Sequence, residues 1–160
     1  MTELIFYYWM EATFKTWKTS RNLFLTLLES YKLDQLNQIP QGFNNNLIWN
    51  IGHVIVAQQG LVYKGSGLPT HLPDEMFGRY GIGTKPEVPV SVDEYEVLKA
   101  LLMDLIPQTE SDFYNGKFVT YHERTIKTGF HLSTVEDALV FNNFHEGLHM
   151  GYIMSIRKFI

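Results

Sequence analysis

From Met10 to Tyr31 the apolar side chains recur with an alternating spacing of four and three: Met10, Phe14, Trp17, Phe24, Leu28 and Tyr31. Residues so spaced line one stripe of an α-helix, so this segment buries its apolar side only as one member of a helix bundle. The stripe has a single gap, and Arg21 fills it. A guanidinium in a bundle seam is costly unless a buried acid or a bound anion meets it, or its head reaches the end of the bundle.

Three further helical stretches follow. Pro40-Gln41-Gly42 breaks the chain, and the run Asn44-Asn45-Asn46 offers an N-cap to a second helix over roughly 46–64. That helix is apolar nearly all round, which predicts burial on most sides or sharing with a partner subunit. Residues 65–90 carry Gly65, Gly67, Pro69, Pro73, Gly78, Gly81, Gly83, Pro86 and Pro89. They read as a long connector with a short helix near 74–80. The tetrad Ser91-Val92-Asp93-Glu94 is a capping box opening a third helix, with Tyr95, Leu98, Leu102 and Leu105 on one face and Pro107 expected to kink or end it. Residues 114–131, with Phe118-Val119-Thr120-Tyr121, are expected to be extended or a small hairpin. A second capping box, Ser133-Thr134-Val135-Glu136, opens a fourth helix running to near Phe159. The expected fold is all-α, one domain over residues 1–160: a four-helix bundle with long connectors after its second and third helices.

Composition narrows the function. With 45% hydrophobic and 19% charged residues the chain is globular, and its formal net charge of −4 provides no basic surplus to neutralise phosphates, which argues against nucleic acid. Cysteine is absent, so disulfides, cysteine-ligated zinc and a cysteine nucleophile are excluded. The opening Met1-Thr2-Glu3-Leu4-Ile5-Phe6 lacks the basic region and small-residue cleavage site of a leader. The most apolar stretch, Leu47 to Tyr63, is interrupted by Asn50, His53, Gln58 and Gln59 and does not read as a membrane span. A soluble, cytoplasmic protein is expected.

The chemistry lies in the histidines. His145 and His149 are one turn apart on the fourth helix, and His53 sits amid the apolar second helix. Imidazoles at i and i+4 project from one helical face and can converge on a single metal ion. One buried histidine is most often a core residue with a hydrogen bond. Three on inward faces need partners for all their ring nitrogens, and a shared cation supplies one to each. Gly147 and Gly151 each cost a helix about 1 kcal/mol relative to alanine and leave a smooth strip, for close packing or for ligand access. His71, His122 and His131 fall in connectors and are expected to be solvated. His145-Glu146-Gly147-Leu148-His149 also matches the HExxH pattern of zinc hydrolases, whose third ligand comes from downstream. Met150 to Ile160 contain no His, Asp or Glu to serve.

These segments together resemble the DinB/YfiT-like superfamily of metal-binding four-helix bundles over nearly the whole chain. The resemblance is carried by the helix holding Trp17 to Arg21, by Ile39-Pro40 and the asparagine run, and by Ile48-Trp49-Asn50-Ile51-Gly52-His53. Leu61-Val62-Tyr63 and Phe144-His145-Glu146-Gly147-Leu148-His149-Met150-Gly151-Tyr152-Ile153 complete it. It implies an up-down-down-up bundle, commonly homodimeric, whose histidine triad holds a divalent ion, usually zinc or nickel. By position His53, His145 and His149 match that triad. The best-understood relatives activate a low-molecular-weight thiol, as in bacillithiol transferases and mycothiol-dependent isomerases, while many others have no assigned reaction.

Three neutral histidines leave a metal its full charge and at least one position for a small-molecule substrate or water, so a bound thiol is deprotonated or a bound water acidified. Because the chain has no cysteine, a thiol must arrive as a cosubstrate. Arg21, Asn50 and Glu146 are the candidates for a catalytic or substrate role. Arg21 would hold an anion, and Asn50 would flank the metal one turn before His53, as Asn142 would near His145. Glu146, about 100° around the helix from His145, is expected to pack or to support a ligand rather than reach the metal. The alternative to a thiol S-transferase-like enzyme is a bundle dimer with a structural or vestigial metal site and an interaction role. An HExxH-type hydrolase is the third reading.

Overall fold

All six helical positions of the Met10–Leu28 seam, Arg21 included, are fully buried. The helix that carries them, α1, spans Glu3–Glu29 in a computed structural model that describes residues 3–160. Met1 and Thr2, where the leader reading begins, lie outside the described residues. The helix starts two turns before the seam, a stretch the spacing does not reveal because Leu4, Ile5, Tyr7, Tyr8 and Trp9 are exposed and contribute no buried stripe. Tyr31 lies beyond its end, partly buried against the core.

The remaining elements are α2 (Leu33–Asn37), α3 (Leu47–Val62), α4 (Asp74–Tyr80), α5 (Val92–Tyr114) and α6 (Val135–Ile156), with 3-10 turns at Lys64–Ser66 and Arg157–Phe159. The fold is predominantly helical, and α1, α3, α5 and α6 are its long members. Asn46 caps α3 by accepting from Trp49 N at 2.8 Å. Ser91 caps α5, accepting from Glu94 N at 3.2 Å. At α6 the reciprocal box is one residue later than expected: Thr134 accepts from Asp137 N, and the Asp137 carboxylate accepts from Thr134 N and Ser133 N. Aspartate reaches back to those amides as glutamate would, and choosing position 134 puts Val135, Ala138 and Leu139 on the buried side.

Pro107 does not end α5. It is exposed, while Leu102, Leu105, Ile106, Thr109 and Asp112 around it are buried. Packing of both flanking turns outweighs the roughly 3 kcal/mol that an interior proline costs a helix. Between α5 and α6 the chain forms a two-stranded antiparallel hairpin, β1 (Arg124–Thr125) with β2 (His131–Leu132). Phe118 to Tyr121, expected to be extended, precedes it outside any strand.

The apolar interior falls into two clusters. Phe24, Leu28, Ile51, Leu98 and Ile153 belong to one; Met10, Phe14, Trp17, Tyr63 and Leu139 to the other. On α1 the position between them is Arg21, and on α6 it is the stretch that holds Asn142 and Glu146. A buried polar layer thus separates two apolar ones. Among the described residues no helix is long and apolar enough to cross a membrane.

Candidate metal centre

The α3–α6 packing brings His53, His145 and His149 together. One ring nitrogen from each lies within 4.8 Å of the others, and among the described residues no acid or further histidine joins the group. The ring centroids are 4.6 Å apart for His145 and His149, 4.7 Å for His53 and His149, and 5.3 Å for His53 and His145.

Two of the rings are oriented from behind. His53 Nδ1 lies 2.7 Å from the carbonyl oxygen of Tyr80, so it must donate there and its lone pair is at Nε2. His149 Nδ1 lies 2.8 Å from Asn50 Oδ1. The Asn50 amide cannot be reversed, because its Nδ2 donates to Asn46 O at 2.7 Å and Asn45 Oδ1 at 3.1 Å. His149 therefore also donates from Nδ1 and presents Nε2. Asn50, expected to flank the metal, contacts the His149 ring. His145 differs, since its Nδ1 is buried without a hydrogen-bond partner.

Tyr80 was invisible in the pattern of its own helix, although Gly52 carried a trace of it. A Cβ at position 52 would overlap the Tyr80 ring, so glycine is what admits that ring against α3 and brings its carbonyl to His53. The phenol then donates to Glu94 Oε1 at 2.5 Å, tying α4 to α5. Trp49 stacks on His53 with 5.0 Å between centroids and 13° between planes, while Phe141 lies 6.0 Å from His145. Trp49 and Tyr80 also line a cavity of about 630 Å³ together with Arg79 and Lys85, which none of the three histidines lines.

Burial is the main force on the imidazole pKa values. It lowers His53, with the Tyr80 carbonyl partly opposing. His145 falls to about 4 through burial, with His53 and Arg21 adding to the shift. His149 falls to about 3 through burial and then the two neighbouring histidines. All three rings are therefore neutral at pH 7 and keep a lone pair, which is the form that binds a metal. Tetrahedral ligation at about 2.0–2.1 Å places nitrogens about 3.3 Å apart, so rings already within 4.8 Å need only small side-chain rotations to close on one ion. The donor set and its protonation fit a divalent cation.

Next to this cluster is the anion that Arg21 called for. Glu146 is fully buried, and its Oε1 accepts from Trp17 Nε1 at 2.6 Å, Arg21 Nη2 at 2.7 Å and Asn142 Nδ2 at 2.8 Å. Arg21 Nε lies 3.0 Å from both carboxylate oxygens. The rest of the guanidinium donates to Val54 O at 3.3 Å and Leu102 O at 3.4 Å. One side chain of α1 thus bonds α3, α5 and α6 beside residues 53 and 145. Arg21 and Glu146 are both buried and engaged with each other in an ion pair away from solvent.

The other sequence features resolve as follows. His71, His122 and His131 are exposed. His131 bonds Thr125 and Glu123, both at 3.0 Å, and His71 packs edge-on against Tyr63 with Nε2 3.6 Å from Asp112. Gly147 and Gly151 are exposed, and a Cβ on either would touch nothing, so no close packing among the described residues explains them.

No match to a curated protein was found. The sequence profile of the DinB superfamily matches residues 16–153, a span that includes the polar layer and all three histidines. With a family match over most of its length, and a three-histidine cluster able to hold a metal ion, this chain belongs to the DinB superfamily.

Proposed function

We propose that this is a single-domain, metal-dependent enzyme of the thiol S-transferase kind, in which His53, His145 and His149 hold one zinc or nickel ion. The observation that carries the reading is the convergence of three neutral imidazoles with no fourth protein ligand beside them among the described residues. Structural zinc is normally closed by four protein ligands, and an open position is the mark of a reactive site. Such an ion, when bound, supplies the charge that deprotonates a coordinating thiol or acidifies a coordinating water. The chain's own groups orient two ligands through Tyr80 O and Asn50 Oδ1, keep all three rings neutral, and flank them with Trp49 and Phe141. A small thiol is favoured as cosubstrate because the protein has no cysteine of its own, and such thiols are kept reduced in the cytoplasm. Hydrolysis of the HExxH type has less support, since the glutamate it requires as base is tied up by Trp17, Arg21 and Asn142.

The pairs Thr13–Asn143 and Trp17–Glu146 between α1 and α6, Asn50–His149 between α3 and α6, and Lys18–Glu110 and Glu29–Lys99 between α1 and α5 support an up-down-down-up order of the long helices. A homodimer is part of the reading. Val140, Phe144, Leu148 and Tyr152, spaced by one turn each, are exposed on the outer face of α6, and no charged side chain of α6 is exposed between Asp137 and Arg157. An uncharged apolar stripe smoothed by two glycines suits a second copy of itself. Leu148→Glu is expected to convert a dimer to monomer in light-scattering measurements; an unchanged mass would remove this face from the interface.

Metal analysis and a thiol assay test the function. Wild type is expected to purify with about one divalent ion per chain, and His149→Ala with far less. Turnover of a chromogenic electrophile should need both the ion and an added small thiol, across a panel of thiols. Stoichiometric metal and a large chelator-induced loss of stability, without any turnover, would instead favour a structural site with an interaction role.

A further inference from the structure

Each metal-binding imidazole needs its second nitrogen held, and the structure shows such a partner for His53 and His149 but not for His145. His145 Nδ1 is buried and unpaired. So is Asn142 Oδ1, three residues earlier on the same helix. Side chains at i and i+3 are neighbours on a helix surface. The Asn142 amide is fixed, because its Nδ2 donates to Glu146 Oε1 at 2.8 Å and reversal would set oxygen against a carboxylate. Its oxygen is therefore a committed acceptor. The other unpaired amide oxygen in this stretch, on Asn143, is a poor alternative. Asn143 donates to Thr13 O on the α1 side, and residues at i and i+2 do not face one another.

The geometry points to Asn142 as the positioning residue for His145, its Oδ1 accepting from Nδ1–H when the imidazole turns its Nε2 to the metal. This rests on the three-histidine metal reading. The two unpaired atoms are then each other's partners, and the small rotation that closes the triad is what joins them. The positioning chain runs back from Asn142 to Glu146, and from Glu146 to Arg21 and Trp17 of α1. Glu146 acts on the metal through Asn142, two steps removed, in place of the base role that its motif suggests. All three ligands then follow one scheme, a donating Nδ1 held by an oxygen: a backbone carbonyl for His53 and an asparagine amide for each of the α6 pair.

The test is nitrogen NMR of histidine-labelled protein, with zinc alone as the probe. Zinc-loaded wild type should show three solvent-protected Nδ1–H groups, His145 among them. In Asn142→Ala the His145 signal should be lost to exchange while those of His53 and His149 remain, and zinc affinity should fall about 10–100-fold. Zinc bound to wild type at His145 Nδ1, or an Asn142→Ala protein that keeps both the protected signal and full affinity, would overturn the inference. If Asn142→Ala fails to fold, the wild-type spectrum alone decides. Failure of wild type to bind zinc at all would overturn the metal reading and this inference with it, a result distinct from zinc binding without the Asn142 contact.

Discussion

Arg21 and Glu146 form an ion pair with no solvent around it, and its energetics differ from those of a surface bridge. Desolvating both charges offsets most of their attraction, so the pair adds little net stability, while breaking it leaves a buried charge uncompensated. Glu146→Gln is expected to cost about 3–5 kcal/mol in urea unfolding. The double variant Arg21→Met with Glu146→Leu should recover much of that loss. Additive losses in the double variant would show that the two residues are not coupled. Trp17, the other donor to Glu146 Oε1, accounts for an indole at a buried seam position where leucine would otherwise pack.

At the scale of elements, the centre depends on how α4 seats on α3. Gly52 is the contact point, and the Tyr80 ring occupies the space of its missing side chain. Gly52→Ala is expected to displace Tyr80 and with it the carbonyl that holds His53. The expected consequence is about 1–3 kcal/mol of lost stability together with weakened zinc binding, measured by melts and by competition with a chromophoric chelator. Stability loss with unchanged zinc affinity would show that the Tyr80 carbonyl does not matter to the site. The same element shows why residues 65–90, read as a long connector with a short helix near 74–80, also hold a carbonyl that orients His53. A backbone carbonyl carries no residue-type signal, and Tyr80 could occupy that place only because of where α4 docks.

For the whole molecule, the depressed imidazole pKa values set a pH response. Above pH 6.5 the histidines are neutral both folded and unfolded and contribute nothing. Below it the unfolded chain takes up protons that folded His145 and His149 refuse until about 4 and 3. The unfolded state then binds more protons, so the histidines' contribution to stability of the metal-free protein falls as pH drops from 6.5 to about 3 and levels off only below the folded value of His149. His149→Ala should flatten this slope in urea titrations. An equal slope in the variant would show that burial of the cluster is not its source. Adding zinc should raise the melting temperature of wild type, because an ion that binds only the folded protein stabilises it.

Much of this was legible in the residues. The four-and-three spacing of α1, the asparagine cap of α3 and the one-turn histidine pair are local patterns, governed by 3.6 residues per turn, and they survive in a linear reading. That Arg21 needs either an anion or a route to the bundle end was legible too, but not which of the two, nor the anion's address. Only tertiary packing could supply that address: Glu146, 125 residues away, with Trp17 and Asn142 sharing it. Packing also carried α5 through Pro107 and moved the α6 cap to Thr134, because burial of several side chains outweighs one local preference. Sequence alone determined which groups must be buried and neutral or paired, since desolvation acts on each residue type wherever it is buried. Which atoms pair was decided by helix docking, because a hydrogen bond depends on distance and angle between segments that no local pattern encodes.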